Sequence, residues 1–399
     1  MSHLFNTYAR MPVSLTRGEG AWLFDDQGKR YLDALSGIAV CSLGHAHPRI
    51  AAALADQAGK LIHTANIVHI QEQEALAERL SAISGLDRAF IANSGAEAIE
   101  CALKLARRHA HARGIERPSV MVASHSFHGR TLAALSASGN AAIQAGFGPL
   151  VDGFVRVPYG DAAAAAQAFD AHAELVAVLL EPIQGEGGIR IAPAGYLTGL
   201  RELCDQHDAL LMLDEIQSGI GRTGKWFAFQ HEPGLLPDVI TVAKALGNGV
   251  PIGACLAREA VAELLPPGSH GTTFGGNPLA CRAALEVLAV MEEDDILGRA
   301  ARAGARLLQA LQQGLADQSG VVEVRGRGLM IGIELADEAG ELKQAAMDRG
   351  LIINVTRGNT IRLLPPLIVD DAQVDRIAEI VIDLVREKYP LAQSVETGA

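Results

Sequence analysis

Short runs of apolar residues alternate with longer helical patterns between residues 87 and 257. Runs with almost no polar residues are typical of strands buried on both faces, and strands separated by helices predict a mostly parallel sheet. The predicted strands are Ala89–Ala92, Ser119–Val122, Val176–Leu180, Leu210–Leu213, Val239–Val242 and Gly253–Leu256. Ligands of such sheets bind beyond the carboxyl ends of the strands, so we expect functional residues there.

Both ends of the chain have a different pattern from this central part. Near the N-terminus, two short strand patterns flank a hairpin-type turn at Asp25–Gly28. A long helix begins near Pro278 and leads into a region where strands and helices are mixed. The other predicted elements are helices at about 48–59 and 70–84, a surface helix at 161–172, and strands near 321–324, 329–335 and 361–363.

These patterns predict an α/β protein with two lobes, since a chain of 399 residues is long for one simple core. We expect a large domain with the mostly parallel sheet covered by helices, and a small α+β domain. The predicted parts are an N-terminal segment at 1–50 that contributes to the small domain, the large domain at 51–285 and the C-terminal small domain at 286–399.

The composition of the chain disfavours partners such as nucleic acids and membranes. The net charge is −12 and no long run of Lys or Arg is present, so we expect no nucleic-acid partner. Neither a signal-peptide pattern nor an apolar segment long enough to span a bilayer is visible, so we expect no membrane partner. The five cysteines are scattered in apolar surroundings, which is typical of reduced thiols in a cytoplasmic protein. A redox or nucleophilic cysteine is the alternative.

Lys244 stands just past the predicted strand Val239–Val242 and is followed by small residues and glycines. Burial disfavours the charged form of a lysine, and the neutral amine can attack the aldehyde of a cofactor. The small neighbours leave room for a flat ring to approach the amine. The alternative is a surface lysine after a strand, which this stretch alone would favour.

Asp214 and Glu215 follow the predicted strand Leu210–Leu213. A carboxylate in this position can hold the protonated nitrogen of a pyridine ring. The alternative is the metal-binding acid of an ATPase, because residues 219–225 match the phosphate-loop pattern GxxxxGK. However, Trp226 stands where a hydroxyl residue would bind magnesium, and the loop does not join a strand to a clear helix. Nucleotide hydrolysis is therefore disfavoured.

Gly95 and Ala96 lie between a predicted strand and a helix, just after Ser94. Ser94 and Glu97 have the spacing of a capping box. The small residues leave the first amides of the helix uncovered, which makes a seat for an anion that the helix dipole favours. Most capping boxes only start helices, and that is the alternative here.

Phe127 and Arg130 follow another predicted strand. A phenyl ring there can stack on a flat cofactor, and an arginine can bind a carboxylate with two hydrogen bonds. Core packing and a surface salt bridge are the alternatives. His125 and His128 lack a third ligand at a recognisable spacing, so we predict structural or substrate-side histidines and no metal site.

The stretch Glu181–Gly188 places two acids and three glycines directly after a strand, which favours an active-site loop. Thr272 and Thr273 precede a helix, and their hydroxyls could reach a phosphate or merely belong to an ordinary helix start. Arg362 is a charged residue within an apolar strand, and it requires a carboxylate partner from the protein or from a substrate.

Taken together, these motifs resemble the class III, or ornithine-type, aminotransferases, which use pyridoxal phosphate (PLP) on the fold-type I scaffold. The resemblance runs in order from about residue 6 to residue 385. The stretch Ser36–Pro48 resembles the acetylornithine group of this family. The motifs that carry the resemblance are SGAEA, FHGRT, EPIQGEGG, LDEIQSGIGRTG, AKALGNG, HGTTFGGNP and RLLPP.

The resemblance implies a set of cofactor contacts. Lys244 resembles the lysine that forms the Schiff base with PLP and then transfers a proton, and Asp214 resembles the acid that binds the pyridinium. The remaining contacts that it implies are Gln217 at the ring's phenolic oxygen, Phe127 stacked on the ring, and Gly95 and Ala96 with Thr273 of a neighbouring subunit at the phosphate. No metal is expected.

It also implies the substrate contacts and the assembly. Arg130 and Arg362 would bind carboxylates, Glu186 would pair with Arg362, and Thr272 would lie at the substrate mouth. The implied reaction is ping-pong amine transfer from N2-acetylornithine to 2-oxoglutarate in arginine biosynthesis, by a homodimer with shared active sites.

Other functions stay open at this point. N-succinylornithine or N-succinyl-diaminopimelate could be the donor, and glutamate-1-semialdehyde aminomutase shares the scaffold. A non-catalytic PLP-binding protein is a further alternative, although the lysine, the acid and both arginines are all present.

Overall fold

The computed structural model describes residues 3–390. Within this range the strands are β1 (Leu15–Glu19), β2 (Trp22–Asp25), β3 (Arg30–Asp33), β4 (Arg88–Ala92), β5 (Ser119–Ala123), β6 (Phe154–Val157), β7 (Leu175–Leu180), β8 (Ile183–Gln184), β9 (Arg190–Ile191), β10 (Leu210–Asp214), β11 (Val239–Val242), β12 (Gly253–Ala257), β13 (Val321–Arg327), β14 (Met330–Leu335), β15 (Leu351–Ile352), β16 (Asn354–Thr356) and β17 (Thr360–Leu363).

The helices of the same range are α1 (Ser36–Ala39), α2 (Pro48–Ala58), α3 (Gln71–Ser84), α4 (Gly95–Ala112), α5 (Leu132–Ala137), α6 (Ala141–Gln144), α7 (Ala162–Ala171), α8 (Tyr196–Gln206), α9 (Glu259–Ala262), α10 (Pro278–Glu293), α11 (Ile296–Gly314), α12 (Leu342–Asp348) and α13 (Asp371–Lys388). Two short 3-10 helices are Ala228–His231 and Lys244–Gly247.

The central sheet has seven strands in the order β4-β12-β11-β10-β7-β5-β6. All neighbours pair in parallel except β12, which is antiparallel to both β11 and β4. The prediction of a mostly parallel sheet is confirmed. Strand β6 was not among the predicted strands, because it is short and carries the exposed Arg156 at the edge of the sheet.

Helices cover both faces of this sheet, as the unbroken apolar strands predict. Helix α4 packs on β11 and β12 with a face that includes Ile99, Leu103 and Ala106, all buried. The helix predicted at 161–172 is present as α7, and it contributes the buried Phe169 to the core. Apart from β12, the strands of the central sheet run in the same direction, so their carboxyl ends meet at one rim of the sheet. Among these strands are β4, β5, β7, β10 and β11.

Within residues 3–390, two further four-stranded sheets and the two-stranded pair β8-β9 lie outside the central one. The N-terminal strands form a sheet with the order β1-β2-β3-β15, in which β15 comes from the C-terminal part of the chain. The other sheet has the order β13-β14-β17-β16. The pairing of β3 with β15 joins the N-terminal segment to the C-terminal part, and one core cluster contains both Leu213 and Leu363. The domain boundaries at 50 and 285 stay predictions.

Helices that could cross a membrane are not found in residues 3–390. Cys101, Cys204, Cys255 and Cys281 are buried, as their apolar surroundings predict. Cys41 differs from them, since it is only half-buried in the loop after α1.

Candidate active site

Lys244 lies at the carboxyl end of β11, in the wall of a cavity of about 400 Å³. Its backbone is left-handed, with a φ of 43°. Such a conformation is uncommon for a residue with a side chain, and it is held only where the surrounding structure enforces it. The side chain is partly exposed, and that exposure is toward the cavity. The strand end therefore presents a lysine side chain to this cavity.

The electrostatics of the cavity favour the neutral amine of Lys244. Enclosure by protein atoms, followed by the nearby positive charge of Arg362, lowers the pKa of Lys244 to about 8. The carboxylates of Glu186, Asp214 and Glu181 oppose this shift and are outweighed. The unprotonated fraction of this amine near neutral pH is therefore much larger than that of an ordinary lysine, as a nucleophile for an aldehyde requires.

Asp214 is the last residue of β10, and only 4% of it is exposed. One carboxylate oxygen lies 2.8 Å from Nδ1 of His128, and the other accepts the backbone N–H of Ile216 at 3.0 Å. The side chain also lines the cavity that Lys244 enters. A buried carboxylate held in this way offers a fixed negative charge to a cationic group in the cavity.

His128 is a site residue whose role the sequence did not give. The adjacent Phe127 and Arg130 were recognised because their side chains suit a ring and a carboxylate. The contact between His128 and Asp214 joins residues that are 86 positions apart in the chain. No local pattern reports such a contact, although the structural role that we predicted for this histidine is consistent with it.

The first turn of α4 forms another wall of the cavity. Ser94 caps the helix by accepting the N–H of Glu97 at 3.2 Å, and Gly95 and Ala96 line the cavity. The first amides of a helix have no partner within the helix, so they can bind an anion. A Cβ atom on Gly95 would lie 2.8 Å from a methyl carbon of Ile216, so the site has no room for a larger residue.

Phe127, Arg130 and Gln217 complete the predicted set on the cavity wall. The guanidinium of Arg130 lies 5.6 Å from the centre of the Phe127 ring, at the end of the cavity where Arg130 is exposed. Gln217 is buried. The cavity therefore has an aromatic wall, a cation at its exposed end and an amide in its interior.

Arg362 lies on β17 and is 1% exposed. Its Nη1 atom donates to a carboxylate oxygen of Glu186 at 2.5 Å and lies 3.4 Å from the amide oxygen of Gln217. Its Nε atom is buried without a hydrogen-bond partner among the residues described. The carboxylate partner that the sequence required for Arg362 is thus Glu186, which itself lines the cavity.

Glu181 is a second residue that the sequence analysis left without a role. Burial, together with the nearby charge of Asp214, raises the pKa of Glu181 to about 7. Its two oxygens accept the backbone N–H groups of Phe127 at 3.0 Å and Gly185 at 2.9 Å. The side chain therefore connects the loop after β5 to the loop after β8.

Thr272 and Thr273 are not on the wall of this chain's own cavity. Thr272 hydrogen-bonds to Asn93 at 3.0 Å and to Glu97 at 3.2 Å, next to the cavity. Thr273 is exposed. The loop that carries them lies at the surface of the chain.

The alternatives of a metal centre and of a phosphate loop find no support in the geometry. In residues 3–390, no group of three or more His, Cys, Asp or Glu side chains could hold a metal ion. The GxxxxGK stretch is followed by the short 3-10 helix Ala228–His231 and by no α-helix, and Arg222 within the stretch is fully buried. Arg222 donates to the carbonyl oxygens of Leu329 and Pro365. This stretch therefore serves the packing between β10 and the C-terminal part of the chain.

Known proteins are similar in sequence to this chain over nearly its whole length. An acetylornithine aminotransferase of Nitrosomonas europaea is 53% identical over 385 residues, covering 96% of this chain and 98% of the relative. Acetylornithine aminotransferase 1 of Bordetella pertussis is 51% identical over 386 residues, covering 97% of this chain and 98% of the relative.

Solved structures agree with the fold. The ornithine aminotransferase of Toxoplasma gondii superposes with a TM-score of 0.93 at 35% identity and covers 97% of this chain and 93% of its own. The acetylornithine aminotransferase of Elizabethkingia anophelis gives 0.86 at 34% identity and covers 96% of both chains. The model of the family described as aminotransferase class-III matches residues 5–385. This chain belongs to the class-III aminotransferase family.

Proposed function

We propose that this chain is an N2-acetylornithine:2-oxoglutarate 5-aminotransferase of arginine biosynthesis that uses PLP. The observation that carries the proposal is the Glu186–Arg362 pair, in which Glu186 lines the same cavity as Lys244 and Asp214. A pair of this kind can serve two substrates that differ in one carboxylate. The relatives named as acetylornithine aminotransferases, at 44% to 53% identity, support the choice of donor.

The residues of the cavity fit PLP by the chemistry of their donors. Lys244 offers an amine for the aldehyde, Asp214 a carboxylate for the ring nitrogen, and the amides of Gly95 and Ala96 a seat for the phosphate. Phe127 suits the face of the ring. The space of about 400 Å³ accepts one flat cofactor and one small substrate.

When bound, PLP supplies an aldehyde that takes up an amine and a ring that accepts electrons from the substrate carbon. The protein residues supply positioning and proton transfer. Asp214 would hold the protonated ring nitrogen of the cofactor, while His128 orients the Asp214 carboxylate. The Nζ atom of Lys244 would accept the proton from the carbon that bears the substrate amine.

Glu186 and Arg362 explain how one cavity accepts two kinds of substrate. The donor reacts through its side-chain amine, so its reacting carbon bears no carboxylate. Glu186 then neutralises Arg362. The acceptor 2-oxoglutarate carries a carboxylate next to its reacting carbon, and this carboxylate replaces Glu186 on Arg362. Arg130 binds the carboxylate at the far end of either substrate.

The assembly that we propose is a homodimer with shared active sites in the cytoplasm. Thr273 is exposed and lies off the chain's own cavity, which supports a contact of its hydroxyl with the phosphate in a partner's site. Thr272 would lie at the substrate mouth.

The experiment that tests the proposal compares donors at one concentration of 2-oxoglutarate. The purified protein with PLP is assayed for glutamate formation with N2-acetylornithine, N-succinylornithine, N-succinyl-diaminopimelate, ornithine and GABA. We expect kcat/KM to be highest for N2-acetylornithine. A higher value for a succinylated donor would replace the acetyl assignment, and turnover without 2-oxoglutarate would point to an aminomutase. Cofactor binding without amine transfer to 2-oxoglutarate would contradict the proposal.

A further inference from the structure

The loop at residues 185–189 carries Glu186 and joins the paired strands β8 and β9. We call it the 185–189 loop. The side chain of Glu186 is 35% exposed, whereas Arg362 is 1% exposed. Under the proposed function Glu186 must leave Arg362 and return in every catalytic cycle. The structure therefore raises the question of whether the whole loop moves or only the side chain of Glu186.

The backbone of the 185–189 loop is held at both of its ends. The N–H of Gly185 donates to Glu181 at 2.9 Å. At the other end, the guanidinium of Arg325 donates to the carbonyl oxygens of Gly188 and Ile189, at 2.5 and 2.9 Å. Arg325 is itself 7% exposed. Such charge-assisted bonds to buried carbonyl groups resist displacement of the loop.

Gly185 has little space in which to move. A Cβ atom at this position would lie 2.4 Å from the amide oxygen of Gln217, so the backbone already contacts the Gln217 side chain closely. The start of the loop is therefore enclosed between Gln217 and Glu181.

The carbonyl oxygen of Glu186 itself accepts the hydroxyl of Thr356 at 2.6 Å. Thr356 is 6% exposed and ends strand β16. Strand β16 pairs with β17 so that Asn354 lies opposite Arg362. One hairpin therefore holds the backbone of Glu186 and also carries its guanidinium partner. The separation between the two partners of the ion pair is fixed through this hairpin.

We propose that Thr356 is a positioning residue for the exchange between substrates. Its hydroxyl fixes the backbone of Glu186, so that the carboxylate leaves and returns to Arg362 by side-chain rotation alone. This inference rests on the proposed function, because under that function Glu186 and a substrate carboxylate alternate on Arg362. Without the Thr356 hydroxyl, the Glu186 backbone gains freedom, and the ordered pair with Arg362 becomes less favourable.

Loss of this bond is expected to change the two halves of the reaction in opposite directions. A larger fraction of protein with Arg362 free raises the apparent affinity for a dicarboxylate. When the donor binds, an Arg362 without Glu186 also remains as an uncompensated positive charge. A hydroxyl that serves folding only would lower both half-reactions by the same factor.

The test uses three variants of the PLP-loaded protein. Thr356→Val keeps the shape and removes the hydroxyl, Thr356→Ser keeps the hydroxyl, and Thr356→Ala is a second variant without it, for use if Thr356→Val does not fold. Calorimetry measures the binding of glutarate, a dicarboxylate that has neither amine nor ketone and does not react. Single-turnover kinetics measure the donor and acceptor half-reactions separately.

We expect Thr356→Val, or Thr356→Ala in its place, to bind glutarate about three- to tenfold more tightly than the unmodified protein. The ratio of kcat/KM for the donor to kcat/KM for 2-oxoglutarate should fall by a similar factor, and Thr356→Ser should behave as the unmodified protein. Unchanged glutarate affinity in the variants without the hydroxyl, or a Thr356→Ser variant that behaves like them, would overturn the inference.

The proposed function and this inference can fail separately. If the unmodified protein does not transfer an amine from N2-acetylornithine, the proposed function fails, whereas the glutarate series still measures how Thr356 affects access to Arg362. If amine transfer proceeds as proposed and glutarate affinity does not respond to the hydroxyl, only the inference about Thr356 fails.

Discussion

The imidazole of His128 and the carboxylate of Asp214 meet at 2.8 Å, and both of these buried side chains line the same cavity as Lys244. The contact joins the loop after β5 to the end of β10 across β7, which lies between these two strands in the sheet. A carboxylate with a fixed orientation and no access to bulk water can hold a cationic ring nitrogen throughout a reaction.

Replacement of Asp214 by asparagine tests this electrostatic role. Asn keeps the shape of the side chain but removes the negative charge, so the cofactor ring would lose its proton and accept electrons poorly. We expect kcat to fall by about 10²- to 10³-fold. Asp56→Asn, at a surface residue that pairs with Lys60, is the control and should have no effect. A kcat for Asp214→Asn close to that of the control would contradict the role.

The lowered pKa of Lys244 predicts how the cofactor-free protein takes up PLP. Only the neutral amine attacks an aldehyde, so the attachment rate should rise with pH and level off above about pH 8, the pKa of this residue. Free Nα-acetyl-lysine is the control, and its rate should continue to rise toward the usual lysine pKa of 10.5. Stopped-flow absorbance between pH 6 and 10 measures both. A protein rate that still rises at pH 10 would show that the cavity does not favour the neutral amine.

Substitution of Arg362 separates the two half-reactions. Arg362→Ala removes the cation that binds the carboxylate next to the reacting carbon of 2-oxoglutarate. We expect kcat/KM for 2-oxoglutarate to fall about 100-fold and that for the donor to fall less than about 10-fold. Single-turnover measurements of each half-reaction provide the comparison. Equal losses in both would mean that Arg362 does not distinguish the substrates.

The buried contacts of Arg222 lie away from the reacting groups, and we expect them to contribute to the stability of the protein. Burial lowers the pKa of Arg222 to about 9, and its guanidinium donates to the carbonyl oxygens of Leu329 and Pro365 and to the hydroxyl of Ser42. Arg222→Met leaves these acceptors unpaired and should reduce the free energy of unfolding by about 2 to 4 kcal/mol.

Urea unfolding at one protein concentration measures the effect of Arg222→Met. The matched control is Arg302→Met, at an arginine whose side chain is 68% exposed, and it should leave the unfolding curve nearly unchanged. A similar midpoint for the two variants would mean that the buried contacts of Arg222 add little to stability.

The fold could be predicted largely from the pattern of apolar runs. Strand β7 is apolar along its whole length and β10 is apolar up to its last residue, Asp214, because both of their faces are covered by helices. The edge strand β6 was missed, since it is short and its apolar run is broken by the exposed Arg156. The two-residue strands β8 and β9 are too short to leave a period in the sequence.

The site residues that could be predicted are those whose side-chain type and position in the sequence already suggest a chemical role. Lys244 and Asp214 each stand at the end of a strand, and Arg362 is a charge in an apolar strand, so each could be named as a candidate. The stretch around Lys244 alone favoured a surface lysine, and the other motifs changed that interpretation. Glu181 and Thr356 are different, because their importance lies in bonds to the backbone of Gly185 and Glu186. Such bonds depend on the distance between strands, which one sequence does not contain.

The most direct test of the account is to locate the cofactor on the chain. The purified protein with PLP is reduced with borohydride, digested and analysed by peptide mass spectrometry, with Lys244→Ala as the control. The account predicts a pyridoxyl group on Lys244 of the unmodified protein. For the Lys244→Ala control, it predicts that no pyridoxyl group is attached and that no amine is transferred. A pyridoxyl group on another lysine, or full turnover by Lys244→Ala, would contradict it.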